Sequence, residues 1–147
     1  MTVRFQITID ARDSVRLADF WAKARGYVPE PPPEGFAAWN DYYRTLGVAE
    51  SDWFDGTDSI VDPTGTGPRI WFHVVPEPKT CKNRMHVDLG VGGGRKVRVE
   101  IRKERVEAEA ARLEGIGAIR LETVSEVGVG RYAVAMANPE GNEFDLI

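Results

Sequence analysis

Four polar side chains with chemically useful groups interrupt apolar, strand-like stretches of this sequence. They are Gln6, His73, His86 and Asp145. Imidazoles and carboxylates transfer protons and bind divalent metals, and an amide oxygen can add to a metal's ligands. Cys81 is the single cysteine, so any metal here needs oxygen and imidazole ligands. Nucleophilic catalysis is disfavoured, because there is neither a Gly-x-Ser-x-Gly elbow nor a paired cysteine and histidine.

The chain repeats one order of elements, which gives the four residues equivalent places in pairs. The turn Asp-Pro-Thr-Gly at Asp62–Gly65 matches the turn Asn-Pro-Glu-Gly at Asn138–Gly141. The matched pairs are Gln6 with His86, and His73 with Asp145. We therefore predict an internal duplication, with residues 1–78 as the first module and 79–147 as the second.

Hydrophobic periodicity assigns strands and helices to both halves. The predicted strands are Val3–Asp10, Ser59–Asp62, Arg69–Val75, Met85–Val91, Tyr132–Met136 and Glu143–Ile147. Asp13 and Ser14 cap a first helix that Gly26 ends, and further helices are predicted at Trp39–Leu46 and Val106–Leu113. The proline-rich start of residues 29–58 indicates an irregular excursion between the first helix and the hairpin.

Two neighbouring segments of the second half have weak signals. Gly92–Gly94 lacks both the Lys-Ser/Thr pair of a phosphate-binding loop and the spacing of a dinucleotide fingerprint, so we interpret it as a flexible turn. Residues 95–105 are basic but interleaved with glutamates, which is typical of a solvated surface. Val97, Val99 and Ile101 alternate with charged residues, so this stretch is either an exposed strand or the start of a longer helix.

Composition limits the partners of the protein. Its 147 residues, 42% of them hydrophobic, suffice for one domain or two small fused halves. A net charge of −4 disfavours binding to nucleic acid and to anionic membrane surfaces. No apolar run approaches the roughly 20 residues that span a bilayer. The sequence therefore predicts a cytoplasmic protein whose partner is a small molecule.

A long phrase and an ending carry a resemblance to a known family. The phrase is VPEPKTCKNRMHVDL at Val75–Leu89, and the ending is NPEGNEFD at Asn138–Asp145. Together with the repeat, they resemble the glyoxalase-like branch of the vicinal oxygen chelate superfamily, which includes glyoxalase I, extradiol dioxygenases, fosfomycin resistance enzymes and bleomycin resistance proteins. The resemblance implies an α+β fold with two βαβββ modules, whose curled mixed sheets surround a cleft. It also implies a homodimer.

The resemblance further implies a metal centre. Metal-dependent relatives have ligands at the positions matched here by Gln6, His73, His86 and Asp145, so these four are the predicted ligands. The implied ion is Zn²⁺, Ni²⁺, Mn²⁺ or Fe²⁺, with no other cofactor. Such a centre leaves coordination positions for substrate oxygens. The predicted function is a metal-dependent lyase or isomerase that chelates a small oxygenated substrate, with Asp145 and His73 as candidate catalytic groups.

Two other functions stay open. One is a metal-free protein resembling bleomycin resistance proteins, which binds a drug or another small molecule. In that case His73 packs within its strand, and His86 orients Asp88 or a backbone carbonyl. The other is an iron-dependent dioxygenase, which needs His73, His86 and Asp145 on one metal.

Aromatic residues around the excursion predict a substrate pocket. Its members are Trp39, Trp53 and Trp71, and Arg84 is a candidate for binding an anionic substrate at the mouth. Core packing and loop docking would equally explain the aromatic residues.

Overall fold

The computed structural model describes residues 3–147, and the chain divides into two compact units, Met1–Glu77 and Pro78–Ile147. In chain order the described residues form β1 (Ile7–Ala11), α1 (Ser14–Arg25), β2 (Val28–Pro29), α2 (Trp39–Thr45), β3 (Ser59–Val61), β4 (Ile70–Val74), β5 (Asp88–Leu89), α3 (Val99–Glu114), β6 (Ile119–Glu126), β7 (Arg131–Ala137) and β8 (Glu143–Leu146). None of these helices has the length and apolar character needed to cross a membrane.

The two units have the same sheet topology. The strand order is β1-β4-β3-β2 in the first sheet and β5-β8-β7-β6 in the second. In each sheet the first strand runs parallel to the last, while the remaining neighbours are antiparallel. The predicted α+β class, with two βαβββ modules that form mixed sheets, is therefore confirmed.

Local signals define α1 at both ends. The Asp13 side chain accepts a hydrogen bond from the Arg16 backbone N–H at 3.0 Å, which satisfies one of the free amides of the first turn. Gly26 ends the helix in the left-handed conformation, at φ 68°. Leu17 and Phe20 are buried against the first sheet's core. The predicted helix is confirmed.

The first strands of both units are shorter than predicted. β1 begins at Ile7, because its partner β4 begins at Ile70 and no ladder partner precedes that pair. Val3 and Phe5 are exposed, so the predicted apolar face does not extend to them. β5 is likewise reduced to two residues. The alternating pattern thus indicated an extended chain, whereas the number of residues paired in the parallel ladder determined the length of the strand.

Two elements of the second unit differ from the sequence prediction. α3 begins at Val99, seven residues before the predicted start, so residues 99–101 belong to a longer helix. β6 was not predicted at all. It pairs with β7 alone and contains an irregularity between Arg120 and Glu122. Because polar residues occupy both faces of this edge strand, its alternation is faint.

A single indole anchors much of the irregular excursion. The Trp39 Nε1–H donates to the Glu30 carbonyl at 3.1 Å, and the ring stacks on Tyr43 at 5.8 Å. Gly56 lies against this ring with φ 76°, and a Cβ there would be 2.2 Å from Nε1. Only glycine fits this position, because the left-handed backbone and the indole both exclude a side chain.

We predict that Phe72→Ala strongly destabilises the first unit. Phe72 is fully buried on β4, so truncation leaves a cavity and should lower the free energy of unfolding by about 3–5 kcal/mol. Val74→Ala on the same strand is the matched control, because Val74 is 57% exposed and should change stability by less than about 1 kcal/mol. Urea unfolding followed by circular dichroism measures both, and equal losses would contradict the assignment of Phe72 to the core.

Candidate metal centre

The second unit brings one imidazole and two carboxylates together. His86, Asp88 and Asp145 each offer one ligand atom, and these atoms all lie within 4.8 Å of one another. The His86 Nε2 atom is 3.4 Å from Asp88 Oδ1 and 3.4 Å from Asp145 Oδ2. Within residues 3–147, this is the one such group of three or more.

Strand register explains the cluster. Asp88 on β5 lies directly opposite Asp145 on β8 in the parallel ladder. His86 precedes Asp88 by two residues, and side chains two apart in an extended chain emerge on the same side. The imidazole is therefore placed between the two carboxylates.

The donor chemistry of this cluster fits a divalent cation. Imidazole nitrogen and carboxylate oxygen are the usual ligands of Zn²⁺, Mn²⁺, Ni²⁺ and Fe²⁺, and three protein ligands leave positions for other oxygens. The side chains of His86 and Asp88 are 41% and 48% exposed, and that of Asp145 is 32% exposed. A small molecule in solvent can therefore reach all three groups.

Sequence reasoning missed Asp88 as a member of the cluster. It treated Asp88 only as a group that His86 orients in a metal-free protein. The available signal was the spacing His-x-Asp in an extended segment, which puts both side chains on one face. That Asp88 and Asp145 lie opposite each other required the register between β5 and β8.

A half-buried ion pair positions the segment before His86. Lys79 Nζ lies 2.9 Å from Glu143 Oε2, and the Asn83 backbone N–H donates to the same oxygen at 3.0 Å. These two contacts lower the pKa of Glu143 from 4.5 to about 2. Glu143 lies on β8 two residues before Asp145, so the pair fixes the chain leading to His86 against the strand that carries Asp145.

In the first unit, Gln6 is held by an arginine. The Gln6 Oε1 atom accepts from Arg69 Nη1 at 2.9 Å. Arg69 also donates to both carboxylate oxygens of Glu30 and to Ser59 Oγ. The hydrogen bonds from Arg69 to Glu30 are the main cause of a raised pKa for Arg69. The amide oxygen of Gln6 is thus already engaged by a cation within its own unit.

His73 lies farther along the first sheet. Its Nδ1 atom is 3.3 Å from Asp10 Oδ1, and its ring lies 4.9 Å from that of Trp71. Asp10 is opposite His73 in the ladder, whereas Gln6 precedes the pair of Ile7 with Ile70. Four strand positions, about 13 Å, therefore separate Gln6 and His73 along β1, and the first unit does not bring them together.

The register also shifts the internal match between the two units. Thr8 lies two residues after Gln6, just as Asp88 lies two residues after His86. In the parallel ladders, Thr8 is opposite Trp71 and Asp88 is opposite Asp145. Trp71, rather than His73, therefore takes the place in the first sheet that Asp145 takes in the second. The connection between β3 and β4 has eight residues, 62–69, whereas that between β7 and β8 has five, 138–142, so counting from the turns does not align the two last strands. Ligation of a metal by Gln6 and His73 stays a prediction.

The predicted pocket residues have internal hydrogen-bond partners. The indole N–H groups of Trp39, Trp53 and Trp71 donate to Glu30 O, Val48 O and Asp58 Oδ2, at 3.1, 2.9 and 2.6 Å. The three rings are half-buried and Arg84 is exposed. The tryptophans thus anchor the irregular excursion, and their role in substrate binding stays a prediction.

A known protein family matches most of this chain. The family model described as a glyoxalase-like domain matches residues 6–147. The chain belongs to this family. No match is found among curated proteins.

Solved structures share the fold of this glyoxalase-like chain at low sequence identity. A mutant of the fosfomycin resistance protein FosX from Listeria monocytogenes, complexed with Mn(II) and 1S,2S-dihydroxypropylphosphonic acid, is 10% identical with a TM-score of 0.60, over 99% of this chain and 89% of that chain. A possible glyoxalase from Bacillus cereus is 13% identical with a TM-score of 0.57, over 100% and 99%. A glyoxalase/bleomycin resistance protein/dioxygenase family enzyme from Burkholderia phytofirmans is 14% identical with a TM-score of 0.56, over 96% and 94%.

We predict that Glu143→Gln destabilises the glyoxalase-like chain in a pH-dependent way. The charged carboxylate is favoured in the fold, so its contribution is present above pH 4.5 and is lost as the pH falls towards 2. At pH 7 the variant should lose about 1 kcal/mol of unfolding free energy, because glutamine keeps the shape but not the charge. Urea unfolding from pH 7 to pH 3 should show the difference shrinking below pH 4.5. A difference independent of pH would contradict the ion pair as its cause.

Proposed function

We propose that this protein is a metal-dependent enzyme that acts on a small oxygenated substrate at the cluster of His86, Asp88 and Asp145. The observation that carries the proposal is the convergence of three donor atoms within 4.8 Å. The proposed class is a lyase or isomerase whose substrate presents two neighbouring oxygens. Gln6 and His73 lie about 13 Å apart along β1, so only one of them could join this cluster, and each stays a predicted ligand.

The residues of the cluster have distinct proposed roles. His86 contributes a neutral imidazole through Nε2, and Asp88 and Asp145 each contribute one carboxylate oxygen. A divalent ion at such a site supplies Lewis acidity, which stabilises negative charge on the oxygens of a substrate. Asp145 has a second oxygen, Oδ1, and we assign to it the acceptance of a proton from the substrate. The Lys79–Glu143 pair keeps the approach to His86 in place during this transfer.

The family relationship supports the proposal without deciding it. The FosX structure contains Mn(II) together with a molecule that carries two neighbouring hydroxyl groups. A fold of this kind therefore accommodates both a divalent ion and an oxygenated ligand in that protein. At 10% identity, that likeness extends to the fold alone.

One observation favours a second candidate, a metal-free binding protein. His86 already lies at ion-pair distance from both carboxylates, so a protonated imidazole would satisfy them without a metal. The third possibility, an iron-dependent dioxygenase, needs a second imidazole, and His73 as that ligand stays a prediction. Metal binding is therefore the measurement that separates these functions.

We predict that the protein, stripped by a chelator and then dialysed, binds one equivalent of Zn²⁺ or Mn²⁺. His86→Ala and Asp145→Asn should each weaken binding on the order of 100-fold, because each removes a ligand. Isothermal titration calorimetry measures the affinity, and inductively coupled plasma mass spectrometry measures the stoichiometry. Oxygenated substrates can then be screened with the metal-loaded protein.

The first unit offers a matched control for this measurement. Asp10 and His73 form a histidine–aspartate pair at 3.3 Å, close to the 3.4 Å of His86 and Asp145. Asp10→Asn should leave the affinity within about twofold, whereas His73→Ala tests the predicted additional ligand. The chain has two histidines, so the imidazole signals in a ¹⁵N NMR spectrum report which ring the ion contacts. Absence of saturable binding in the wild-type protein would overturn the proposed enzyme and favour the metal-free alternative.

A further inference from the structure

The second unit contains a cleft with a strongly basic lining. Its volume is about 830 Å³, within the range of small-molecule sites. The beginning of α3, the turn before it and the beginning of β7 form its walls. Five lining side chains are basic and one is acidic: Arg95, Lys96, Arg98, Arg102 and Arg131, with Asp88. We infer that this cleft binds the oxyanion group, a phosphate, phosphonate or carboxylate, of a small organic molecule.

The basic groups are available to a ligand. In residues 3–147, no hydrogen bond or ion pair engages the side chain of Arg95 or of Lys96. Arg98 and Arg131 have exposed ion pairs with neighbouring glutamates at 3.4 and 3.6 Å, and pairs of this kind hold a side chain weakly. An incoming oxyanion therefore competes with water and weak partners rather than with buried ones.

Arg102 provides a second reason for an anionic occupant. One end of its guanidinium donates to the Gly130 carbonyl, which fixes the side chain between α3 and the start of β7. Its Nε–H is buried and has no acceptor in the described part of the chain. No carboxylate in residues 3–147 forms an ion pair with this guanidinium, so its positive charge adds to the field in the cleft.

The turn that leads to α3 is built into this wall. Gly93 and Gly94 have φ values of 91° and 85°, and a Cβ on Gly93 would lie 2.6 Å from Arg105 Nη1. The Arg105 Nη1–H donates to the Gly92 carbonyl at 3.2 Å. Arg105 thus fixes the glycine turn next to Arg95 and the start of α3, so the cleft wall is an ordered part of the fold.

The charge distribution favours a small anion over a polyanion. The whole chain has a net charge of −4, so a long nucleic acid would be repelled by most of the surface. Five of the 19 lysines and arginines instead line one concave site, where low-dielectric walls strengthen the local field. The guanidinium groups also match the geometry of phosphate and carboxylate oxygens.

The position of Asp88 predicts how a ligand is oriented in the cleft. It lines the cleft and is also a member of the cluster with His86 and Asp145. The oxyanion is attracted by Arg95, Lys96 and Arg98 around the start of α3, so the charged end of a ligand should lie there and the rest of the ligand should extend towards Asp88. The uncharged oxygenated end then lies beside the cluster. This orientation rests on the proposed function, and it narrows the substrate to an oxygenated molecule with an anionic end.

The test measures oxyanion binding in the absence of metal. Chelator-treated protein at low ionic strength is titrated with inorganic phosphate in one arm and with succinate in the other, and ¹H–¹⁵N NMR spectra follow the amides of Gly94, Lys96 and Gly130. The test variant is Arg95→Gln with Lys96→Gln. The matched control is Arg4→Gln with Arg16→Gln, two exposed arginines of the first unit whose loss changes the net charge equally.

We expect saturable shifts at the cleft amides of the wild-type protein. The Arg95 and Lys96 double variant should bind about tenfold more weakly, and the control should stay within about twofold. Saturation by phosphate alone would indicate that the ligand carries a phosphate or phosphonate group. Saturation by succinate alone would indicate a carboxylate, and saturation by both would indicate a general oxyanion site. No saturation with either probe, or equal weakening in both double variants, would overturn the inference. Because no metal is present in this titration, its failure would not contradict the proposed metal centre. Likewise, failure of metal binding would not contradict the oxyanion site.

Discussion

The parallel pairing of the first strand with the last determines what each unit can present to solvent. Two parallel neighbours cannot be joined by a tight turn, so the chain between them needs a long crossover, which here contains at least one helix and two further strands. In the second unit this return brings Asp145 to the side of Asp88, 57 positions along the chain. The cluster with His86 therefore depends on the topology, whereas neighbouring positions in the sequence supply only His86 and Asp88.

The same topology carries different chemistry in the first unit. There the comparable end of the sheet has Gln6 bound to Arg69, and Arg69 is bound in turn to Glu30. In the first unit, the Arg69 guanidinium thus lies between the side chains of Gln6 and Glu30. In the second unit, two carboxylates lie around one imidazole. The two units thus share their backbone pairing and differ in the side chains at the paired positions.

Much of the fold could be predicted from local signals. The capping aspartate and the left-handed glycine defined α1, because both act within one turn of the helix. The start of α3 could not be assigned, since Val99 and Ile101 alternate with charged residues and Ile101 remains 39% exposed in the helix. β6 gave no clear pattern because it is an edge strand with polar residues on both faces. The family resemblance identified His86 and Asp145 as candidates, but Asp88 and the place of Trp71 depended on strand register, which local patterns do not encode.

The edge strand of the second sheet has one side without a neighbouring strand in the described residues. β6 pairs with β7 on one side, so the other side of an eight-residue strand carries open backbone donors and acceptors, next to exposed Ile119 and Leu121. Such an edge can template the addition of another strand and so begin aggregation. Here the irregularity between Arg120 and Glu122 interrupts the regular spacing of those groups, and charged side chains flank it. The polar and charged residues that weaken the hydrophobic pattern of β6 thus also disfavour the addition of another strand at this edge.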